Sequence, residues 1–321
     1  MIDTVEKDMH ILRYFSSFIS VSGGRVINIT EPKLTSCPLA EHLYQGFQRV
    51  NNTDKEAVKR EIKEAIESKI RDCGLFTAKR ILSTDEIAIP YGASEMLMFA
   101  LKKRVVDAAV IVCDGAGTVI TDNGEVAQGI GARMNSLLFT SPISATIGRL
   151  RKLGCRVVFE NALIDQVKGV EKAIESGYKR IAVTVSGHDA DNLKEIRRLG
   201  SSDTVITILV VCTTGISAAK IEQARQYADL VWSCASQEVR RKIGSMALLQ
   251  ISKAIPVFVL TQRGIDFIAA YAQDEAPLRE LDEGRQYLVS NEPGERKIKL
   301  GNMLSYLRQA KLPDGIMAVR H

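Results

Sequence analysis

The central part of the chain alternates between two hydrophobic patterns. Continuous apolar runs predict strands, at residues 108–112, 156–159, 180–185, 205–211, 230–232 and 256–260. Segments with a helical period of apolar positions lie between them and predict helices, at residues 166–176, 191–199, 217–227, 238–252 and 265–272. Continuous apolar strands that alternate with amphipathic helices are typical of a sheet buried on both faces. We therefore expect an α/β fold with a mostly parallel sheet covered by helices on both faces.

The N-terminal part predicts a small hairpin and a helix rather than a core. Two short apolar runs flank Gly23 and Gly24, and this pattern favours a β-hairpin turn. A capping box at residues 53–56 predicts the start of a charged amphipathic helix. Gly74 can end that helix in the left-handed conformation. We interpret residues 1–92 as a cap made of a β-hairpin and a helix.

The periodic pattern ends after Ala276. The remaining residues carry mixed charge, and a stretch at residues 303–310 has the pattern of a helix. We expect this segment to be a surface tail. The chain is thus predicted to contain the cap at residues 1–92, an α/β core at residues 93–276 and a C-terminal extension at residues 277–321.

Two segments of the predicted core resemble each other in spacing, which suggests an internal duplication into two related halves. The distances between four residue types agree within one position in the two segments, although regular α/β chains also produce such echoes by chance. The matching residues are Asp107, Cys113, Gln128 and Thr140 in the first segment and Asp229, Cys234, Gln250 and Thr261 in the second. A duplication would place Cys113 and Cys234 at equivalent strand ends.

The composition restricts the class of protein. The 321 residues include 43 Lys and Arg against 38 Asp and Glu, and the net charge of +5 is spread along the chain. This mild excess suits small anionic molecules, whereas nucleic-acid binding usually requires a concentrated basic face. The hydrophobic fraction of 45% argues against a disordered chain. Since neither a membrane-length apolar run nor a secretory signal is visible, we expect a cytoplasmic protein with no nucleic-acid or membrane partner.

Small, polar and glycine-rich residues follow the predicted strands. In open α/β sheets, ligands bind outside the carboxyl ends of strands, and helix N-termini at this edge favour anions. The dinucleotide fingerprint is incomplete, because Ile120 and Met134 stand where a third glycine is needed. A P-loop is not expected either, because no Gly-Lys-Ser/Thr follows a glycine at the required spacing. The alternative for these glycines is a tight turn. The candidate substrate-binding residues are Gly115, Gly117, Thr118, Thr213, Thr214, Gly215 and Ser236.

The six cysteines are expected to be free thiols in a reducing compartment. Four of them lie in loops or at the ends of elements and are candidate ligands of an iron–sulfur cluster of the 4Fe–4S type, or of zinc. These four are Cys37, Cys73, Cys113 and Cys234. Since no pair has the Cys-x-x-Cys spacing, the alternative is that they are small buried side chains. Cys155 and Cys212 have the surroundings of structural residues.

Catalytic candidates are few. His188 follows a predicted strand beside Asp189, an arrangement that suits a general base or metal ligand but also an ordinary helix cap. Cys113 and Asp114 are weaker candidates for a nucleophilic site, because no partner base can be named from the sequence. Two arginines are candidates for holding an anion, with ordinary surface positions as the alternative: Arg133 and Arg263.

Several short strings between about residues 25 and 270 are similar to a known family. The string Cys-Asp-Gly-Ala-Gly-Thr at residues 113–118 is the most specific. The others are Cys-Pro-Leu at 37–39, Asp-Cys-Gly at 72–74, Gln-Gly-Ile-Gly at 128–131, Ile-Asp-Gln-Val at 164–167, Thr-Gly-Ile-Ser at 214–217, Ser-Cys-Ala-Ser at 233–236 and Ile-Pro-Val-Phe at 255–258. Through these strings the chain resembles the methanogenesis marker protein 8 family, a family of unknown function found chiefly in methane-metabolising archaea.

The resemblance implies an anaerobic, cytoplasmic setting and a part in assembling or activating a methyl-coenzyme M reductase-type system, with a protein client. Four of its strings contain the four candidate cysteine ligands, and an anaerobic setting makes an exposed cluster chemically tolerable. The first hypothesis is therefore an iron–sulfur protein that acts in cofactor or enzyme maturation or in electron transfer. The second is a metal-free α/β enzyme that binds a small phosphate- or thiol-containing anion at the carboxyl edge of the sheet. The third is an assembly factor that binds another protein, and homo-oligomer formation is left open.

Overall fold

The strands of the computed structural model, which describes residues 8–34, 37–49 and 54–315, form a small sheet and a large sheet. The small sheet contains β1 (His10–Tyr14), β2 (Ser17–Ser22), β3 (Arg25–Ile29) and β6 (Ser136–Thr140). The large sheet contains β4 (Ala108–Cys113), β5 (Gly117–Thr121), β7 (Arg156–Val157), β8 (Arg180–Ser186), β9 (Val205–Val211), β10 (Leu230–Trp232), β11 (Leu249–Ile251), β12 (Val257–Val259), β13 (Tyr287–Ser290), β14 (Arg296–Leu300) and β15 (Met303–Gln309).

Helices connect most of the strands of the large sheet. They are α1 (Pro38–Leu43), α2 (Gln45–Arg49), α3 (Lys55–Cys73), α4 (Ala93–Lys102), α5 (Gly124–Gly131), α6 (Ser144–Lys152), α7 (Gln166–Glu175), α8 (Leu193–Arg198), α9 (Ala218–Tyr227), α10 (Gln237–Gly244), α11 (Gln262–Ala269) and α12 (Ala276–Arg279), with a 3₁₀ helix at Gly187–Asn192. Among the helices in the described ranges, none combines the length and the apolar character that a membrane crossing requires.

The small sheet begins with the predicted hairpin, which is confirmed. β2 and β3 pair antiparallel around Gly23 and Gly24, whose φ angles are +58° and +66°. The predicted amphipathic helix is α3: Asp54 caps it through its side chain, and Gly74 ends it with a φ of +67°. Thr53, the first residue of the predicted capping box, lies outside the described residues. Because β1 pairs with β6, the small sheet also joins the N-terminal segment to the central part of the chain.

The large sheet is mixed, so the prediction of a mostly parallel sheet is wrong. Its strand order is β14-β15-β13-β11-β12-β10-β9-β8-β4-β5-β7. The neighbours β4, β8, β9 and β10 are parallel, as are β11 and β13, but the other neighbouring pairs are antiparallel and form the majority. Antiparallel strands with both faces buried show the same continuous apolar run as parallel ones. β5, which is buried at every position, is an example.

The turn between β4 and β5 shows how the antiparallel edge begins. Cys113 at the end of β4 pairs with Gly117 at the start of β5. Gly115 and Gly117 have φ angles of +74° and +68°, which favour glycine. A Cβ atom at position 117 would lie 2.3 Å from the carbonyl oxygen of Ala162. The glycines are therefore required by this tight turn and by the close approach of the next loop.

The C-terminal segment extends the large sheet, so its prediction as a surface tail is wrong. The stretch at residues 303–310, predicted as a helix, is β15, which pairs with both β13 and β14. The edge strand β14 alternates between exposed and buried side chains, with Ile298 and Leu300 buried. Because this strand is short and lies among other charged residues, its alternation is too brief to predict a strand from the sequence. The division of the chain at residues 92 and 276 stays a prediction.

The two segments with matching spacing do not fold as two equivalent halves. Gln128 lies in α5, whereas Gln250 lies in β11, because α10 ends at Gly244 and the helix predicted to residue 252 is shorter. The next strands also differ, since β6 belongs to the small sheet and β12 to the large one. Cys113 and Cys234 do follow two strands of the same parallel group, β4 and β10. The order of elements therefore gives no support to an internal duplication.

Helices pack on both faces of the large sheet and bury two apolar layers. On one face, α4, α5 and α11 contribute side chains that pack with β4, β10 and β12. On the other face, α7, α8, α9 and α10 pack against β8 and β9. A third apolar cluster lies between the small sheet and α3. The core is thus continuous around the parallel strands, whose carboxyl ends face the loops between the two sheets.

A buried ion pair joins the loop after α3 to the large sheet. The Arg80 Nε donates to Asp114 Oδ1 at 2.8 Å, and the two side chains are 1% and 0% exposed. Asp114 Oδ2 also accepts the backbone N–H of Phe76 at 2.5 Å. The other two nitrogens of the Arg80 guanidinium also donate: Nη1 to the carbonyl oxygen of Ile81 at 2.6 Å and Nη2 to that of Ile130 at 2.8 Å. The hydrogen bonds of the pair therefore connect three segments: the loop after α3, the turn between β4 and β5, and the end of α5.

Replacing Arg80 tests how much this ion pair contributes. We expect Arg80→Met to lower the free energy of unfolding by about 3–5 kcal/mol, because it leaves the Asp114 carboxylate buried without its counter-charge. Urea unfolding followed by circular dichroism measures the change. Arg71, whose ion pair with Glu64 is exposed, provides the matched control, and Arg71→Met should barely move the unfolding midpoint. Equal destabilisation by the two substitutions would contradict the role assigned to the buried pair.

Candidate functional site

A cavity of about 530 Å³ lies at the carboxyl ends of the parallel strands. We call it the main cavity. The residues of or next to β4, β8, β9 and β10 that line it are Ile111, Val112, Thr184, Ser186, Val211, Cys212, Trp232 and Cys234. Other parts of the wall come from the segment between α5 and β6, the loop at residues 252–255, residues 89–95 and residues 290–292. Its lining is mostly apolar, and its volume and place in the sheet suit a small organic ligand.

Arg133 gives the main cavity a cation without a carboxylate partner. It follows α5, has a φ of +61° and is half-buried in the cavity wall. Among the described residues, Arg133 forms no ion pair with an Asp or Glu. Arg263 differs, because it donates to the carbonyl oxygen of Ile206 at 3.0 Å and pairs with Asp229 at 3.4 Å. Of the two arginines predicted to hold an anion, Arg133 is thus the one at a cavity.

In the part of the chain that the structure describes, three acidic side chains line the main cavity, and two of them are held by other contacts. Glu95 is buried and accepts hydrogen bonds from neighbouring backbone N–H groups and from Gln128 Nε2 at 3.0 Å. Glu292 pairs with Lys253 at 2.5 Å. Burial raises the pKa of Asp189. Among the described residues, none of the three forms an ion pair with Arg133.

A second cavity, of about 130 Å³, adjoins the main cavity and is lined by three cysteines. Cys212 and Cys234 line both cavities, as do Asn135 and Ser136, while Cys37 lines the second one. Its other polar residues include Arg13, His188 and Thr214. The strand ends of β9 and β10 therefore form the boundary between a ligand-sized cavity and a small thiol-lined one.

Lys69 lies buried beside both cavities, and sequence reasoning missed it. Its Nζ donates to Asn135 Oδ1 at 2.5 Å and lies 5.4 Å and 5.9 Å from the ring centres of Tyr14 and Tyr44. Burial lowers the pKa of Lys69 to about 8, and the nearby charge of Arg133 acts in the same direction. The available signal was its spacing, since it continues the apolar stripe of α3 seven residues after Ile62.

His188 is held as a neutral imidazole. Arg13 Nη1 donates to its Nδ1 at 3.2 Å. Burial, together with the charges of Arg13 and Lys220, lowers the pKa of His188 to about 4. A neutral ring can accept this hydrogen bond at Nδ1 and can thereby hold the Arg13 side chain in place at the second cavity. The roles of His188 as base or ligand stay predictions.

The four cysteines predicted to bind a metal are not brought together as one set. Cys113 is fully buried, and its thiol donates to the carbonyl oxygen of Asp114 at 3.3 Å. Cys37 and Cys234 share the second cavity, where Cys212 accompanies them instead. Over the part of the chain that the structure describes, no three His, Cys, Asp or Glu side chains are arranged to hold a metal ion. The predicted ligand set therefore does not fit an iron–sulfur cluster or zinc as it stands.

The predicted substrate-binding residues serve mainly in turns and caps. Thr118 is buried and bonds to Gln166 Oε1 at 3.0 Å, and Thr213 donates to the carbonyl oxygen of Trp232 at 2.7 Å. Gly115 and Gly117 form the tight turn, Gly215 has a φ of +75°, and Ser236 caps α10. Thr214 lines the second cavity. Asp114, named as a catalytic candidate with Cys113, is engaged in the buried ion pair.

The fold and its cavities define a mixed α/β protein with a ligand-sized cavity at the carboxyl ends of its parallel strands. The profile of a family described as an uncharacterized protein conserved in archaea (DUF2099) matches residues 10–273. The chain belongs to this family.

A protein of Methanocaldococcus jannaschii, named uncharacterized protein MJ0054, is similar to this chain. The two are 38% identical over 289 residues, which cover 89% of this chain and 98% of that protein. The archaeal relationship expected from the sequence is thus shown. The resemblance to the methanogenesis marker protein 8 family is not confirmed by these matches and stays a prediction.

The buried lysine predicts a pH dependence of stability. The unfolded state binds the Lys69 proton up to a pKa of 10.5, and the folded state releases it near pH 8. The free energy of unfolding of the wild type should therefore rise with pH between about 8 and 10.5, relative to Lys69→Met, by about 3 kcal/mol at most. Urea unfolding across this range measures the difference, in which the titration of the cysteines largely cancels.

Lys79 provides the control for this experiment, because its side chain is exposed. The stability curve of Lys79→Met should run parallel to that of the wild type over the whole pH range. If Lys69→Met also runs parallel to the wild type, the lysine titrates normally and is not buried as described.

Proposed function

We propose that the protein binds a small organic anion with an apolar body in the main cavity, with Arg133 holding the anionic group. The observation that carries this proposal is the half-buried guanidinium of Arg133, which lines a largely apolar cavity and has no carboxylate partner among the described residues. A partly buried charge is costly when it is unpaired. An anionic ligand would supply the missing counter-charge.

The surroundings of Arg133 favour an anion over a cation. Lys69 carries a second positive charge. It lies close enough to Arg133 for the charge of Arg133 to lower the pKa of Lys69 by electrostatic repulsion. Lys69 reaches the cavities through Asn135, which lines both of them. The aromatic wall supplies apolar contact, since Trp232 is fixed by a hydrogen bond from its Nε1 to the carbonyl oxygen of Tyr91 at 2.8 Å. The ligand that fits is therefore an aromatic or aliphatic molecule with one carboxylate, sulfonate or phosphate group.

This proposal corresponds to the metal-free alternative of the sequence analysis. A role in the maturation of a methyl-coenzyme M reductase-type system, with a protein client, is a further proposal that rests on the resemblance alone. A cluster bound by the four predicted cysteines would require them to rearrange. Iron and acid-labile sulfide measured in protein purified without oxygen would establish whether one is bound.

A matched pair of fluorescent probes tests the anion site. 8-Anilinonaphthalene-1-sulfonate and N-phenyl-1-naphthylamine share one ring system, and the sulfonate is the main difference between them. We expect Arg133→Gln to weaken binding of the sulfonate probe by at least about tenfold, since a charge-assisted hydrogen bond contributes about 1.5–3 kcal/mol. The neutral probe should bind the variant as it binds the wild type. Fluorescence titration of both probes gives the dissociation constants.

Arg104 provides the matched control. It also has a positive φ, of +55°, but is exposed and does not line the main cavity. Arg104→Gln should leave both probes unaffected. The proposal fails if Arg133→Gln weakens the two probes equally, or if neither probe binds the wild type.

A further inference from the structure

The chain takes two strained turns where the cavities meet. Cys212 and Cys234 follow the neighbouring strands β9 and β10, with φ angles of +56° and +48°. A residue with a Cβ atom adopts this left-handed region at a cost, so it persists only where the surrounding structure requires it. The result is that Cys234, which remains partly accessible, lines both cavities. Such strain concentrates at functional sites.

Polar groups near the thiol of Cys234 act against the effect of its burial. They are the backbone of Thr213 and of Cys212 and the hydroxyl of Thr213, which donates its own hydrogen bond to the carbonyl oxygen of Trp232. Consecutive backbone N–H groups at a left-handed residue form a concave seat for an anion. Burial raises the pKa of Cys234 above its ordinary value, and these groups and the charge of Arg240 offset part of that rise.

Arg240 is a buried cation with unused hydrogen-bond donors. Its side chain is 2% exposed, and its Nη2 donates to the carbonyl oxygens of Cys234 at 3.0 Å and Ala254 at 2.8 Å. Its Nε and Nη1 are buried with no hydrogen-bond partner, and it forms no ion pair among the described residues. A buried guanidinium that lacks a carboxylate is destabilising unless another negative group offsets it. The thiolate of Cys234 is the nearby group that can supply this charge.

We propose that Cys234 is the reactive nucleophile of the main cavity, that Arg240 is a positioning residue for its thiolate, and that the ligand is a small anionic disulfide. The inference rests on the proposed function for the place where the ligand is held. Cys234 and Arg133 line the same cavity, so a ligand anchored by its anionic group lies within the space that the sulfur faces.

The neighbouring thiols are the reason for choosing a disulfide as the ligand class. Cys37 and Cys212 share the second cavity with Cys234 and interact with it electrostatically. Burial raises the pKa of all three thiols, that of Cys37 to about 11 and that of Cys212 to about 12, and among the three it is Cys234 whose carbonyl oxygen accepts a hydrogen bond from Arg240. Three thiols at one cavity allow a second exchange after the first, which a single nucleophile would not.

The reaction balances without another reagent. Cys234 loses its thiol proton to solvent, and its sulfur attacks one sulfur of the ligand disulfide. A new S–S bond forms, the ligand's S–S bond breaks, and the other half of the ligand leaves as a thiolate with the bonding electron pair. Cys37 or Cys212 then loses its thiol proton to solvent, and its sulfur attacks the Cys234 sulfur of the mixed disulfide. The bond between Cys234 and the ligand breaks, the second half leaves as a thiolate with the bonding electron pair, and the two released thiolates take up two protons. The protein is left with one disulfide, and the ligand, which is the oxidant, is reduced to two thiols.

Two aromatic disulfides of different charge test this proposal on the full-length protein. 5,5′-Dithiobis(2-nitrobenzoate) is anionic, and 4,4′-dithiodipyridine is neutral at neutral pH. With less than one equivalent of either reagent, peptide mass spectrometry should find the label, or the disulfide that follows it, at Cys234. Cys234→Ser should abolish the fast phase of thiol release. Cys73 is also partly accessible but lines neither cavity, so Cys73→Ser should leave that phase unchanged.

Arg240→Met tests the positioning role. It removes a buried positive charge, and no buried carboxylate of the described residues loses its counter-charge as a result. The rate of Cys234 labelling by the neutral disulfide should reach its half-maximum at a higher pH in this variant, with the same limiting rate at high pH. Arg240→Lys should restore part of the shift. An unchanged pH profile in Arg240→Met would overturn the role of Arg240. The titratable and charged groups facing the sulfur are Cys37, Cys212 and Arg240, with Arg13 and His188 across the second cavity.

The outcomes separate this inference from the proposed function. Arg133→Gln should slow labelling by the anionic disulfide and leave labelling by the neutral one unchanged. If Cys234 reacts first with both reagents and Arg133→Gln affects neither, the nucleophile stands and the anion site fails. If the fluorescent sulfonate depends on Arg133 but Cys234 reacts no faster than Cys73, the anion site stands and the nucleophile is overturned.

Discussion

The buried ion pair between Arg80 and Asp114 determines how the rest of the molecule is arranged around its cavities. Asp114 stands at the turn from β4 to β5, where the large sheet changes from parallel to antiparallel pairing. Arg80 comes from the loop after α3 and also holds the carbonyl oxygen of Ile130 near the end of α5. The segment that follows α5 carries Arg133 and then enters β6 of the small sheet. One charge pair therefore connects the loop after α3, the edge of the parallel strands and the end of α5, which leads into the wall of the main cavity.

The remaining buried cations of the molecule are arranged differently. Arg80 has a carboxylate partner, whereas Lys69 and Arg240 are almost as deeply buried and have none among the described residues. Both lie near the cavities, together with the half-buried Arg133. Because unpaired buried charges destabilise a fold, positions that keep them are expected to serve binding or chemistry. The paired arginine thus has a structural role, whereas the unpaired cations lie near the cavities in which a ligand would bind.

The sequence predicted individual elements better than their arrangement. The strand at residues 230–232, the helix that ends at Gly74 and the hairpin around Gly23 and Gly24 all follow from local patterns, and the structure confirms them. The direction of pairing did not follow, because β5 and β12 are buried on both faces and carry no alternation that would mark an antiparallel strand. β15 was predicted as a helix because a short half-buried strand and a short helix share the same few apolar positions.

For the candidate site, the sequence by itself determined where to look and which residue types were available. It indicated the carboxyl ends of the strands, the thiols and Arg133 as a possible anion holder, because strand ends and charge are local properties. Only the tertiary structure decided which of them meet. It separated Cys113 from Cys37 and Cys234, placed Cys212 with the latter two, and engaged Asp114 in the core. It also buried Lys69 and Arg240 with no carboxylate partner in the part of the chain that the structure describes. This burial depends on solvent exclusion by residues distant in the chain and has no local signature.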